Sequence, residues 1–433
     1  MPSHDTNALD LWQRQLASLR AAFSAPAWSI FQALMVGWAL CPGRKTITAI
    51  YRLADPTGVR SHDAYHRFVR CGNWILLELW KTLALAVVGS LVPAGAIELD
   101  LDDTLLHKTG RKMSGTGWWR DAVRSTSTRV VVALGLNLLV VTLRIRPPWG
   151  GEPLGLPILV LLHRKGGMKL TALAAQAIAT LRRWLPGRRI HWCADGAFAA
   201  SVIPLGEDGL AFISRLRRDA ALYGLRPPQT GKRGRPRVRG KRLGTPTQIA
   251  AAARRWRRVV TDERGRPRDR LVYSQVVLWH AVSDKPVLLV ISRDPAGVEH
   301  DDFWVCSDVS MEPAMVVSTY AGRWSIECTF RSTKQTLGAH EPQSWSGDGP
   351  ERAGTLGFLL YTLVWWWFLR LNPAKHAVSG PDWYPAKCRP SFNDALAELR
   401  RVLWKNRISL TSGRRGVSNQ IIRVLVDALC RAA

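Results

Sequence analysis

The sequence predicts a mixed α/β protein: a helical N-terminal region, a strand-rich core interrupted by a basic insertion, and a basic helical tail. Three observations carry this reading. Apolar residues recur at helical spacing through residues 1–92. From Ala96 the period changes to two, with β-branched residues gathering between 128 and 145. Between about 215 and 300 the composition shifts to Arg, Lys, Gly and Pro before strand-like segments resume at 271–281 and 286–292.

In chain order, the first helical region breaks at Asp55-Pro56-Thr57-Gly58. Ser61 then caps a short helix with His66, Arg67 and Arg70 on its polar side. Two readings are open for this pair of helices: a DNA-binding unit, or a plain helical subdomain packing through Tyr65, Phe68 and Val69. Strands are expected at 96–103, 128–134 and 136–145, a helix at about 168–185, a strand at Ile190–Ala194, a helix near 197–205 and a strand at Leu210–Ser214. Regions 93–214 and 301–372 form the two parts of the core around the 215–300 insertion, and 373–433 is the basic tail with a closing helix from about Ser418 to Arg431. Gly357–Leu371 is apolar, but its 15 residues fall short of the roughly 20 that a membrane span requires, so a buried helix is expected. Residues 75–92 contain Glu78 and Lys81 and fail similarly.

Charge narrows the partner. Of 433 residues, 61 are Lys or Arg and 33 are Asp or Glu, giving a formal charge of +28, which suits a polyanion and nucleic acid best. The cations are spread along the whole chain and not gathered beside an apolar anchor, which argues against a membrane partner. Seven scattered Cys without a Cys-x-x-Cys pair argue against a disulfide framework or a zinc site and for the cytosol. No basic-then-apolar leader opens the sequence.

The densest chemistry lies between residues 320 and 334. At about 100° per residue, Tyr320, Arg323, Glu327 and Lys334 return to within roughly 60° of one helix face, beside an apolar stripe of Ile326, Phe330 and Leu337. A carboxylate among cations can ligate a metal while its neighbours grip phosphates. The plainer alternative is a solvated helix in which Arg323 and Glu327 form an i,i+4 pair. Upstream, the strand Ile97–Thr104 alternates, so Glu98, Asp100 and Asp102 share one face, while Asp103 points with the leucines unless the strand has ended. Asp195 closes the apolar segment Ile190–Ala194 before Gly196; alone it reads as a helix cap. In the insertion, Lys232-Arg233-Gly234-Arg235-Pro236-Arg237 resembles an AT-hook, and Arg264–Arg268 repeats the theme; both read equally as disordered phosphate-binding loops. Trp256 and Trp279 are either core residues or platforms for an extruded base.

Tyr, two residues, Arg, three residues, Glu, six residues, Lys resembles the YREK motif of one superfamily of bacterial insertion-sequence transposases. The expected order of three strands, helix, strand, helix, strand resembles an RNase H-like core, and the insertion falls where those transposases carry a β-rich one. The resemblance implies a DDE set of Asp102, Asp195 and Glu327 that are both catalytic and metal-ligating, holding two Mg²⁺ about 4 Å apart, with Mn²⁺ able to substitute. The first acid of the family often lies two residues before a Thr, which selects Asp102, with Asp103 as the substitute. It further implies that Tyr320, Arg323 and Lys334 contact the phosphate beside the cleaved bond; Arg331 lies on the same face outside the motif. Lys232, Arg233, Arg235 and Arg237 are added as DNA contacts. The implied partners are the terminal inverted repeats and target DNA, bound by a homodimer in a bacterial, nucleoid-associated setting. Two alternatives stand beside transposition: a DNA-binding derivative that no longer cuts, and a metal-dependent nuclease without strand transfer.

Overall fold

A computed structural model describes residues 4–126, 128–228, 237–371, 385–411, 425–426 and 428–430. Five helices open it: α1 (His4–Ala17), α2 (Ala25–Leu40), α3 (Ile47–Ala54), α4 (His62–Cys71) and α5 (Leu76–Leu91). Thr46 caps α3 by accepting the amide of Ala49. Ser61 occupies the cap position of α4 in extended backbone, but its side chain makes no cap hydrogen bond. The break between them is an Asx-type turn in which Asp55 accepts the amides of Val59 (3.0 Å) and Arg60 (2.7 Å). Tyr65, Phe68 and Val69 are buried, while Arg67 and Arg70 face outward.

The strands follow as β1 (Ile97–His107), β2 (Gly117–Arg120), β3 (Val132–Ile145) and β4 (Leu154–His163), then α6 (Leu170–Trp184), β5 (Ile190–Ala194), α7 (Ala199–Val202) and β6 (Leu210–Arg215). The segments expected as two strands at 128–134 and 136–145 are one strand, β3, beginning at Val132. The remaining long antiparallel strand is β4, for which the sequence carries no period-two signal. Its run Leu-Gly-Leu-Pro-Ile-Leu-Val-Leu-Leu-His is apolar on both faces because helices cover both, and Pro157 argues against a central strand. The proline is accommodated where the β3–β4 register shifts, between Val141 and Thr142, and its carbonyl accepts the hydroxyl of Thr362 at 2.7 Å.

Beyond β6 come β7 (Leu222–Tyr223), β8 (Arg242–Gly244), α8 (Pro246–Ala252), β9 (Arg257–Asp262), β10 (Pro267–Val277), β11 (Val287–Arg293) and β12 (Asp302–Cys306). Of these strands, β7 and β8 pair apart as a two-stranded sheet, and the other ten form one sheet. Its path is β4-β3-β1-β5-β6-β12-β11-β10-β9, with β2 also on β3. β1 is antiparallel to β3 and parallel to β5, β5 is parallel to β6, and every later pair on the path is antiparallel. The insertion's longer strands therefore extend the core sheet edge to edge through β12.

The chain closes with α9 (Pro313–Gly322), α10 (Ser325–Gln335), α11 (Gly349–Leu369) and α12 (Phe392–Thr411). α11, longer than the 15 residues expected, is buried along nearly its whole length. It is the post around which the N-terminal helices assemble: Trp367 donates to the Ala8 carbonyl (2.9 Å) and Gln15 to the Leu363 carbonyl (3.0 Å). Trp38 likewise donates to the Leu337 carbonyl (2.8 Å) just past α10. Among the described residues no helix is long and apolar enough to cross a membrane. The closing helix expected at 418–431 lies largely outside the described residues.

Candidate active site

β1 runs to His107, so Asp102 and Asp103 sit within a strand and not at its end, and adjacent side chains leave on opposite faces. Register with β3 fixes what each face meets: Asp100 lies opposite Thr142 and Asp102 opposite Val140, and Arg144 follows just beyond the last pair, Leu99 with Leu143. Arg144 is the buried hub of this face, its side chain 3% exposed. Its guanidinium takes both oxygens of Asp100, donates to Glu98 at 2.8 Å and reaches the Thr319 carbonyl at 2.6 Å. Asp100 also accepts the Ser325 hydroxyl at 3.1 Å. Glu98 and Asp100 thus serve the packing of the site, which separates them from Asp102.

That contact changes the helix expected across 320–334. In a continuous helix the Thr319 carbonyl would accept the amide of Arg323. Arg144 occupies that carbonyl, and Arg323 donates to Tyr320 instead, at 3.0 Å; Glu327 similarly closes a three-residue turn on Trp324, at 3.1 Å. Gly322 admits the arrangement, since a Cβ there would stand 2.8 Å from the Arg144 guanidinium. The helix is therefore two helices, with Arg323 and Trp324 at the joint.

The joint aims Arg323 at the acids. Its guanidinium donates to Asp102 Oδ2 at 2.8 Å and to Glu327 Oε1 at 3.4 Å, and lies 5.6 Å from the ring centre of Tyr320. The pKa of Asp102 is pushed up to about 7, and Asp195, just past β5, is one of the charges that act on it. Burial is the main cause; Asp103 and Asp195 add to it and Arg323 opposes it. Tyr320 is buried against Trp304, ring centres 4.3 Å apart, and burial pushes its phenol well above the usual range.

Asp103 has further company: burial raises its pKa and Asp195 adds to that, while the Asn137 amide hydrogen-bonds it and His163 lies nearby. Lys334 joins that second cluster. Its electrostatic partners are Asp121 and Asp103, and burial lowers its pKa. The structure thus brings Asp102, Asp195, Tyr320, Arg323 and Glu327 together and sets Lys334 on the Asp103 flank. Arg331 is exposed on α10.

Beside Asp195 opens a groove of about 540 Å³ that Arg215, Arg264, Arg266, Arg268 and Arg323 help to line. Three of these come from the β9–β10 hairpin. Arg264 and Gly265 form its two-residue turn with φ of 58° and 74°, closed by Glu263 and Arg266. Arg264 lies over the Trp324 ring at 4.1 Å. A disordered loop was one expectation for Arg264–Arg268; it is an ordered turn and strand start. Lys232, Arg233 and Arg235 lie outside the described residues, and Arg237 is exposed. Trp279 is buried and Trp256 is capped by Arg293 at 4.1 Å, so neither offers a free ring face for a base.

Three carboxylates and no His or Cys suit a hard divalent cation. Crowded, buried negative charge at Asp102 is what such an ion relieves. Among the described residues, however, no three His, Cys, Asp or Glu side chains close to metal-holding distance, since Arg323 stands between Asp102 and Glu327. The donor chemistry fits an ion, and the acids form an open set. Sequence reading missed Arg144, and it named the hairpin arginines only as phosphate-binding residues away from the acids. Arg144 is the lone charge in the apolar run 138–145, a signal that becomes informative only once the pairing of β1 with β3 brings its side chain to Glu98 and Asp100.

A model of the DDE superfamily endonucleases matches residues 18–149, and a model of the transposase DDE domain matches residues 153–363. Asp102 falls in the first match, Asp195 and Glu327 in the second. No curated protein matches the chain in sequence. Among solved structures it is similar to a piggyBac transposase in a synaptic complex with hairpin DNA, at 11% identity and a TM-score of 0.42, over 94% of this chain and 76% of that one. That likeness is too remote to carry an argument. The matched models define a class of DNA-cutting enzymes whose domains generally use divalent metal ions. This chain belongs to the DDE transposases.

Proposed function

We propose that this transposase binds the ends of its own insertion sequence, cuts them by two-metal DDE chemistry and joins the freed 3′-hydroxyl to target DNA. The convergence of Asp102, Arg323 and Glu327 beside Asp195, at the mouth of an arginine-lined groove, carries the reading. The spacing of Tyr320, Arg323, Glu327 and Lys334 supports membership of the YREK group. Strand order β4-β3-β1-β5-β6, antiparallel and then parallel, supports an RNase H-like core.

Asp102, Asp195 and Glu327 would hold Mg²⁺, or Mn²⁺ in its place, and the ions supply an activated water or 3′-hydroxyl and stabilise the leaving oxygen. The protein's own part is positioning. Arg323 exchanges its carboxylate partners for a phosphate oxygen of the strand being cut, and Tyr320 holds the Arg323 side chain from the opposite side. Arg264, Arg266 and Arg268 grip the backbone along the groove. Lys334 reaches the DNA from the Asp103 flank. The N-terminal helices, through α4, read the terminal repeats, and two copies pair two ends.

Supercoiled DNA carrying the element's flanking sequences, incubated with Mg²⁺ or Mn²⁺, tests this directly. Metal-dependent cleavage at the ends with joining to a target, abolished by Glu327→Gln, is the expected result. Cleavage that survives Glu327→Gln would refute the site, and cutting without joining would reduce the activity to that of a nuclease.

A further inference from the structure

The sequence holds twenty tryptophans, of which Trp383 lies outside the described residues. Among the rest only Trp118 and Trp345 are exposed, at 55% and 64%. An indole left in water forgoes the burial that the other seventeen obtain. Both exposed rings belong to one edge of the molecule. The Ser114 amide donates to the Trp345 carbonyl at 2.8 Å, and Lys165 Nζ donates to the Trp118 carbonyl at 3.3 Å. Trp119, next along β2, carries Lys165 over its ring at 4.9 Å.

Charge on the β2 part of this edge is almost all positive, and on the Trp345 part Asp348 and Glu351 are paired with Arg352 and Arg164. Residues 107–131 contain six Lys and Arg and a single acid, Asp121, which is buried and bonded to His107. Arg111, Lys112, Arg120 and Lys165 are exposed. The edge also begins where the catalytic helix ends. Lys108 Nζ pins the loop after α10 by donating to the His340 (2.7 Å) and Pro342 (2.9 Å) carbonyls, which leads the chain from Lys334 to Trp345. Exposed aromatic faces interleaved with cations are what unpaired nucleic acid requires: bases stack on the rings and phosphates meet the charges.

We propose that this edge holds unpaired bases of the DNA strand beside the cut, stacked on Trp118 and Trp345, with Arg111, Lys112, Arg120 and Lys165 on its phosphates. The assignment rests on the DNA-cutting reading above and adds a second contact face, across the catalytic helix from the hairpin groove.

Two labelled DNAs with equal phosphate counts, one fully paired and one with an unpaired end, are titrated with the full chain at one salt concentration. Wild type is expected to prefer the unpaired end. Combining Trp118→Ala with Trp345→Ala removes the preference, roughly tenfold per ring, while duplex affinity stays constant. Phe at both positions retains most of it. Equal losses on both DNAs, or an unchanged preference in the double variant, overturn the proposal. So does a change confined to oligomeric state, which would make the edge an interface between copies. Cleavage by the same preparations separates the two readings: wild-type cutting without any preference for unpaired DNA defeats this inference alone, and a tryptophan-dependent preference without cutting defeats the DDE reading alone.

Discussion

The two halves of the ten-stranded sheet obey the same backbone rules and do opposite work. On the β4-β3-β1 side both faces are covered, β3 and β4 are buried nearly throughout, and the one cation among them, Arg144, is locked by two carboxylates and a carbonyl. On the β10-β9 side the strands read Pro-Arg-Asp-Arg and Arg-Arg-Val-Val, and their charges mostly face water or form exposed pairs such as Arg258–Asp269; Arg270, held by Glu263 and Glu299, is the exception. Coverage decides the difference. A buried charge must be paired and so becomes a positioning device, whereas an exposed one stays free to exchange its partner for a phosphate.

The largest test of this contrast is catalytic. Asp102→Asn is expected to lower cleavage by at least about a thousandfold, since it removes a buried carboxylate oxygen that we propose binds metal, while Arg268→Ala on the hairpin leaves the chemical step within roughly tenfold. Single-turnover cleavage at saturating protein measures both. A comparable loss from Arg268→Ala would erase the distinction between the two halves.

Arg144→Met comes next. It strands Asp100, which is fully buried, and frees the Thr319 carbonyl to accept the Arg323 amide, so the α9–α10 joint closes into one helix. Urea unfolding should show a loss of about 3–5 kcal/mol, against 0–1 kcal/mol for Arg258→Ala in an exposed pair. Equal losses would mean that coverage does not set the worth of these cations.

Acidity gives a third handle. Asp102 titrates at about 7 in the folded chain and near 3.8 in the ordinary state, so between those values the folded form holds a proton that the unfolded form has lost. Metal-free protein should keep this contribution in full below about pH 4 and lose it as pH rises through 7, by at most about 4 kcal/mol. Asp102→Asn should remove that dependence. An identical pH profile in the two proteins would show that burial does not hold the proton there.

Smallest is a salt effect. Combining Arg264→Ala, Arg266→Ala and Arg268→Ala should flatten the dependence of log Kd on log salt by up to about 0.9 per lost phosphate contact, with the melting temperature nearly unchanged. A drop in melting temperature without a change in slope would make these arginines structural.

Several of these features were open to reading before any folding. The carboxylates at 102, 195 and 327 and the tyrosine and arginine at 320 and 323 announce themselves by type and spacing, and β5, β6 and α6 stand where periodicity places them. β4 was hidden because burial on both faces erases alternation and Pro157 imitates a strand breaker. The extension of β1 to His107 was hidden too, since its second half is stabilised by pairing with Gly135–Leu139, far along the chain. Lys334 looked like a neighbour of Glu327 by helical angle; it lies about two turns further along the same helix α10, whose packing puts it beside Asp103 and Asp121.

Residue types and local spacing alone determined the class of chemistry, a set of oxygen ligands among phosphate-binding cations in a strongly basic chain, because such preferences are intrinsic to each side chain and to helix and strand periods. Only the tertiary structure decided that Asp100 serves packing while Asp102 faces Arg323, that the 320–334 helix breaks, and that Trp118 and Trp345 remain in water. Those outcomes depend on strand register and on which faces are covered, and both are set by contacts between residues far apart in the chain.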